Sequence, residues 1–460
     1  MISRSQRTAR TRRHCEICEF RRAILNLSLQ AETTTDSDPA RRSRGAESAK
    51  DRHKRVCMLA YTAYESDGRV RRYAEALANR GDHVDVIALS IGASSLGVEK
   101  LNGVTLYRVQ RRKHDERHKW NYVWRLLRFL FVASLFLARH QRRVRYDLIH
   151  VHNVPDFLVF AAWYPRLRGA RVILDVHDVV PELFACKFGA APDSLYIWLL
   201  RLIEKASAAF ADHVIVSNHL WYETLTSRSV RKERCSVFIN HVDPIIFRRR
   251  KRTRYDGKLI LLFPGTFQWH QGLDIAIEAL VHIKKKMPSA ELHLYGGGGV
   301  EADLIRQTAR LELTGSVKFL GGVPYERIAE VIANADIGVV PKRANSFGNQ
   351  AYSTKIMEFM SQGVPVVASR TKIDCFYYDD SLVRFFASGD SEALAEAVLN
   401  VAQDSTLREN LIANGLEYAE RNSWRHKYQS YLDLVDRLAA SKLQSPRMGR
   451  LGAESKVGGV

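Results

Sequence analysis

The sequence predicts an α/β protein built from two similar βα-rich halves, and three stretches carry that expectation. Val56–Ala60, Val70–Arg80 and His83–Leu89 read as strand, helix and strand within about 35 residues, which is a βαβ unit. A second series of alternating strands and helices opens at Leu259, after the basic, polar segment Phe247–Gly257. Val364–Ala368 is a short, β-branched apolar run, the pattern of a strand buried on both faces. The helix before it starts near Ser353–Thr354 and closes at Gly363.

The 460 residues suit two or three domains, and 46% hydrophobic content is globular. A net charge of +20 implies an anionic partner: a phosphorylated substrate, a membrane surface or nucleic acid. The charge is clustered. Residues 1–55 hold 14 Lys and Arg against 7 acids, residues 108–145 hold twelve against two, and Arg248–Arg254 is almost wholly basic. That clustering fits a membrane face better than a general solubility effect, and no nucleic acid is expected. Cys15-x-x-Cys18 beside His14 lacks a second ligand pair, so the six cysteines read as buried or free thiols in a reducing compartment. No apolar run reaches the length of a membrane span, and the basic N-terminus lacks the apolar core of a signal peptide.

In chain order, residues 1–54 read as a basic disordered extension, with only Phe20–Leu29 hinting at helix. The first domain is expected over 55–246. The loop Glu65–Arg69, holding Asp67, Gly68 and Arg69, follows the first strand, where such folds bind ligands. Val104–Val109 is a strand. Trp120–Arg143 is a helix whose apolar core, Phe129–Ala138, is too short to span a bilayer. Its tryptophans and its stripe of Arg125, Arg128, Arg139 and Arg142 leave two readings, an interfacial helix or a core helix. Asp147–His152, Arg171–Val176, His213–Ser217 and Cys235–Ile239 are strands, and Leu195–Ala209 is a helix. His177 falls just past a strand end, the position at which open α/β sheets place their ligands.

Residues 247–257 form the hinge, and 258–423 the second domain. Strand Leu259–Phe263 runs into Gly265 and Thr266, with His270 before helix Leu273–Met287. Gly265 lets backbone amides approach an oxyanion. Strand Glu291–Tyr295 runs into four glycines, Gly296 and Gly297 first, a weak phosphate-loop signal that lacks the Lys-Ser/Thr of a P-loop. Strands Val317–Leu320 and Ile337–Val340 flank helix Tyr325–Asn334. Lys342 and Arg343 then open a loop feeding the 354–362 helix, and a loop entering a helix after a strand is the usual anion site. Lys355 and Glu358 share one stripe of that helix. A cation in a first turn opposes the helix dipole, so Lys355 suits a bound phosphate. Leu394–Gln403, Leu407–Arg421 and Trp424–Ala439 are helices, 424–440 being a cross-over helix, and 441–460 a disordered tail.

The string S-T-K-I-M-E-F-M-x-x-G-V-P-V-V at 353–367 resembles the donor-sugar motif of retaining GT-B glycosyltransferases, specifically glycosyltransferase family 4. The likeness extends over 55 to about 440. It implies two Rossmann-like domains facing across a cleft, with the C-terminal helix crossing back to the first. It implies that Glu358 holds the ribose hydroxyls of a nucleoside. Gln350 replaces the second acid of the fuller family motif, and a Ser/Thr-Lys pair including Thr354 and Lys355 takes its place. L-D-V-H-D-V-V-P-E resembles the family's segment in which a histidine, here His177, reaches the donor sugar. S-D-G-R-V at 66–70 resembles its acceptor-side loop, and Asn240-His241-Val242-Asp243 its N-G-V-D turn with His241 for glycine. Thr266 and Gln271 stand where the family has Arg and Lys for the donor diphosphate, so charge is expected from Arg343, Lys342, Lys355 or a protonated His270.

The resemblance implies a retaining transferase with His177 as catalytic residue. Gly265, Thr266, His270, Gly296, Gly297, Arg343, Thr354, Lys355 and Glu358 would bind the donor, and Asp67, Gly68 and Arg69 would line the acceptor side. No metal and no cofactor are expected, the nucleotide sugar being a substrate. The expected partners are a nucleotide sugar, a glycan or lipid-linked acceptor and an anionic membrane surface, with the protein in the cytoplasm, peripheral to the inner membrane. A GT-B epimerase or hydrolase, or a non-catalytic basic module binding membrane or nucleic acid, would share much of this pattern.

Overall fold

The computed structural model describes residues 53–90, 96–112, 119–191 and 193–441. The expected N-terminal extension up to residue 52, its Cys15 and Cys18, and the tail from 442 lie outside the described residues.

The first domain contains β1 (Arg55–Ala63), α1 (Gly68–Asn79), β2 (His83–Ser90), β3 (Gly97–Leu101), β4 (Val104–Arg111) and α2 (Lys119–Arg143). It continues with β5 (Leu148–His152), α3 (Trp163–Leu167), β6 (Arg171–Val176), α4 (Val180–Phe188), α5 (Leu195–Phe210), β7 (His213–Val216), α6 (His219–Arg228) and β8 (Cys235–Val237). The sheet order is β3-β4-β2-β1-β5-β6-β7-β8. All neighbours are parallel except the β3–β4 hairpin, whose turn residues Asn102 and Gly103 both have positive φ, the Asn-Gly hairpin signature. Alternation along β1 fills both faces. Val56 and Met58 meet Tyr73, Leu77 and Tyr431, whereas Cys57 and Leu59 meet a layer containing Phe129, Leu137, Leu158 and Trp221.

The second domain contains β9 (Ile260–Pro264), α7 (Leu273–Lys286), β10 (Glu291–Tyr295), α8 (Glu301–Arg310), β11 (Val317–Phe319), α9 (Ile328–Ala333), β12 (Ile337–Val340) and α10 (Thr354–Ser361). After it come β13 (Val366–Ser369), α11 (Lys372–Tyr377), β14 (Arg384–Phe386), α12 (Ser391–Gln403), α13 (Ser405–Arg421) and α14 (Trp424–Ser441). Its sheet is wholly parallel, in order β11-β10-β9-β12-β13-β14. Ile356, Met357, Phe359 and Met360 fix α10 on that sheet, and Gly338 admits the Phe359 ring where a Cβ would sit 2.5 Å from it. Gly363, at φ 72°, ends the helical segment.

Helix α14 returns to the first domain. The Trp424 amide donates to the Val242 carbonyl at 2.9 Å, Tyr431 packs against Tyr73 with ring centres 4.2 Å apart and planes tilted by 32°, and Arg80 pairs with Asp436 at 3.0 Å. The domains also touch across the cleft. Arg71 and Glu326 form an ion pair at 2.7 Å, and the Asn218 amide donates to the Gln350 carbonyl at 2.9 Å.

Helix α2 corrects one sequence expectation. Asn121–Arg143 is, by length and composition, apolar enough to cross a membrane. Its buried side nevertheless belongs to the first-domain core through Phe129, Val132, Ala133, Phe136 and Leu137, while Trp124 and Phe131 stay 68% and 61% exposed.

Candidate functional site

The second sheet reverses its winding between β9 and β12, the switch point at which open α/β sheets bind ligands. After β9, Gly265 at φ 147° leaves room for Lys355 to lie against its backbone; a Cβ there would come 2.5 Å from the Lys355 Cε. Gly296 passes equally close, since its Cβ would fall 1.9 Å from the Gly265 carbonyl oxygen. The Phe267 amide bonds to the Gly297 carbonyl at 2.9 Å. Two glycine-bearing loops and the first turn of α10 therefore converge. Ser353, the N-cap, makes no side-chain capping bond, which leaves the first-turn amides to other acceptors.

The Lys355 ammonium stands 5.0 Å from the centre of the Phe263 ring and has no ion-pair or hydrogen-bond partner among the described residues. Burial lowers its pKa against the opposing pull of Glu358. Glu358, one turn on, hydrogen-bonds the Thr354 side chain; burial raises its carboxyl pKa, opposed by Lys355 and by Arg72 of the first domain. Burial raises Tyr325 too, and there Glu358 is the next cause.

The other expected cations are already engaged. Lys342 is buried, 2.9 Å from Asp374, and donates to the Ala351 carbonyl at 2.7 Å. Arg343 pairs with Asp274 and lies 4.7 Å over the Trp269 ring. Burial, with Lys355 and Lys342 nearby, pushes His270 down to about 4, so the expected protonated His270 is corrected to a neutral imidazole. Thr266 is exposed beside Gly265.

Across the cleft, His152 on β5 stands in register with Asp175 on β6. Asp175 is fully buried. Its Oδ2 lies 3.1 Å from His152 Nδ1, 3.2 Å from His177 Nε2 and 2.8 Å from Arg69 Nε, and its Oδ1 accepts from Arg69 Nη2 at 2.7 Å. Burial pushes this carboxyl up, but the Arg69 guanidinium, His177 and the imidazole hydrogen bonds outweigh it and hold it well below the usual range. Asn153 Oδ1 accepts from the His177 amide at 2.7 Å, and Ser217 Oγ donates to the His177 carbonyl at 2.9 Å. His177 is thus fixed at its backbone and at Nε2, with the side chain 19% exposed.

Arg69 therefore corrects the acceptor-side expectation. It is 4% exposed, sits in α1 rather than a loop, and spends its guanidinium on Asp175 and the Phe238 carbonyl. Asp67 is the N-cap of α1, accepting from the Arg69 and Val70 amides. Gly68 does border the second domain: a Cβ there would meet the Tyr325 hydroxyl at 2.8 Å. His150, His152 and Asp175 lie within metal-ligating reach of one another. Arg69 on both carboxylate oxygens competes for the same lone pairs, while Nε2 of His150 and of His152 is buried without a hydrogen-bond partner.

Residues 68–241 match the glycosyl transferase 4-like domain, and residues 245–418 match glycosyl transferases group 1. The chain is a GT-B glycosyltransferase. It is 24% identical over 381 residues to an uncharacterized glycosyltransferase of Methanocaldococcus jannaschii, spanning 76% of this chain and 88% of that one. Among solved structures, sucrose-phosphate synthase of Thermosynechococcus elongatus matches with a TM-score of 0.67 at 21% identity, over 84% of this chain and 100% of that one. Anabaena HepE in complex with UDP and glucose matches at 0.63 and 17% identity, over 84% of this chain and 100% of that one. Sequence reasoning passed over four polar residues of this glycosyltransferase's cleft: His152, Asp175, Asn153 and Tyr325. The first two carried a readable signal, because polar side chains inside strands otherwise apolar need partners on the neighbouring strand.

Proposed function

We propose that the protein is a retaining glycosyltransferase of the family 4 type, moving a hexosyl group from a nucleotide sugar to a glycan or lipid-linked acceptor in cell-surface polysaccharide synthesis. The observation that carries this reading is Lys355. Its ammonium lies at the second-domain switch point against Gly265, buried and with no carboxylate in ion-pair contact among the described residues. A diphosphate supplies the missing charge, and the Gly265 and Gly296 loops and the α10 N-terminus supply amides around it. Anabaena HepE, solved with UDP and glucose, supports a nucleotide-sugar donor.

In this reading Glu358 accepts from the ribose hydroxyls and His177 faces the sugar. The acceptor oxygen bonds to the anomeric carbon on the face from which the diphosphate oxygen departs, and the acceptor proton passes to that departing oxygen. Lys355 and the loop amides stabilise the charge that develops there. The enzyme would work from the cytoplasm at the membrane surface. No resident metal or cofactor is invoked.

A thermal-shift screen of nucleotide sugars identifies the donor, because a ligand at 100 times its Kd stabilises the fold by about 2.7 kcal/mol. Transfer of radiolabelled sugar to membrane lipid then tests the reaction. Glu358→Ala should weaken donor binding about 10- to 100-fold, through loss of a charged hydrogen bond. Equal transfer by wild type and variant would remove Glu358 from the site. Free sugar or an epimerised donor, formed without acceptor, would replace the transferase reading with a hydrolase or epimerase.

A further inference from the structure

One face of the first domain carries two apolar stripes that the fold leaves open. On α5, Leu195, Trp198, Leu199 and Leu202 fall at i, i+3, i+4 and i+7 and are 73%, 58%, 47% and 49% exposed. The opposite side of the helix is buried through Ile197, Ser207 and Ala208. Arg201 and Lys205 are exposed beside the stripe. The one acid in α5, Glu204, is buried against Arg228. On α2, Trp124, Leu127 and Phe131 repeat the pattern at i, i+3 and i+7, and the helix contains no acid.

The two helices lie on the same side of the sheet. Both contribute to the core that holds Leu158 and Val159, α2 through Phe129 and Leu137 and α5 through Ala208. Each ends shortly before a strand begins, α2 before β5 and α5 before β7. Their N-terminal halves, which hold the stripes, therefore reach toward the C-terminal edge of the parallel strands, the edge on which His177 lies.

Isolated exposed hydrophobics need no explanation, but paired stripes mark a contact surface. The charge selects the occupant. A second copy of this face would bring basic flank against basic flank, whereas anionic headgroups complement Arg201 and Lys205 while the tryptophans and leucines enter the headgroup boundary. Because α2 packs its inner face in the protein core, it lies on such a surface rather than crossing it.

The geometry points to the α2–α5 face as a docking surface for an anionic lipid bilayer, opening the cleft toward an acceptor held in the membrane. The inference rests on the membrane-borne acceptor proposed above, and its test is separate from donor binding. Full-length protein is floated with vesicles of phosphatidylglycerol and phosphatidylcholine, and with phosphatidylcholine alone. Wild type should float with the anionic vesicles and be released by salt. The double variant Trp198→Glu/Leu199→Glu should lose about tenfold or more of that partition while keeping its melting temperature and its donor-induced thermal shift. Arg201→Glu/Lys205→Glu should flatten the salt dependence. Ile305→Glu, on an exposed site of the second domain, should change nothing. Undiminished flotation of the Trp198/Leu199 variant overturns the inference. So does a wild-type dimer that this variant converts to monomer, because the face would then serve self-association. A retained donor shift in either case leaves the transferase reading standing.

Discussion

The two walls of the cleft treat buried charge in opposite ways. On the first-domain wall, Arg69, His152 and His177 all bond Asp175, and both of its oxygens are occupied. On the second-domain wall, Lys342 has Asp374 and Arg343 has Asp274, but Lys355 makes no ion-pair contact, and burial depresses its pKa against the longer-range pull of Glu358. A desolvated cation without a partner costs stability in the free protein. The first wall is a finished scaffold that orients one imidazole. The second leaves a buried ammonium out of ion-pair contact, which in the proposed reading a diphosphate meets.

The comparison breaks most severely at Asp175. Asp175→Asn leaves the Arg69 guanidinium buried without its counter-ion and should cost about 3–5 kcal/mol of stability. Urea unfolding reads this as a fall in midpoint, and an unchanged midpoint would mean that the network is not load-sharing. Lys355→Met should differ. Removing a desolvated charge that makes no ion-pair contact offsets the loss of its longer-range pull on Glu358, so the ligand-free melting temperature should change little, while donor-induced stabilisation disappears and transfer falls about 10²–10³-fold. A lower ligand-free melting temperature with the donor shift intact would erase the contrast between the walls.

His177→Ala sharpens the contrast from the other side. Arg69 and His152 still hold Asp175, so stability should barely change. In the proposed reading the opposite wall holds the donor, so donor binding should persist. The loss should fall on kcat, by about 10²-fold, the scale of a group that stabilises charge in the transition state. A loss confined to donor affinity would assign His177 to binding instead.

The architecture was legible because period-2 and period-3.6 patterns are long and redundant in 55–440. Elements escaped where they were short or lacked contrast. β3 has half-exposed Val98 beside exposed Glu99 and Lys100, and only the Asn102-Gly103 turn marks it. β14 is three residues long. α4 and α6 begin two to four residues after strand ends and carry no assignment from the sequence. In the site, the Lys355–Glu358 stripe followed from helix geometry alone, and Gly265 from its place after a strand. Whether a cation is free does not follow from sequence. Lys342 and Lys355 look alike there, and only the fold brings Asp374 to the first and Phe263 to the second. Arg69 misled for the same reason: its partner is more than a hundred residues away.

His270 carries the smallest expected effect and isolates Lys355 as the source of charge. Its pKa falls from the ordinary 6.5 to about 4 because burial and the two lysines disfavour the imidazolium. The folded protein therefore holds His270 neutral above about pH 5, and donor affinity should show no rise as pH falls from 8 to 6. His270→Gln should keep donor affinity within about threefold of wild type, the scale of a neutral hydrogen bond. The sign of the stability effect follows from linkage. The unfolded chain takes up a proton near pH 6.5 and the folded chain only near pH 4, so wild type loses stability as pH falls through that window. The glutamine variant should lose less there, read as a shallower drop in melting temperature between pH 6.5 and 4. A wild-type affinity that climbs with acidity, and is flattened by His270→Gln, would instead make the imidazolium a phosphate ligand and divide between two residues the charge assigned to Lys355.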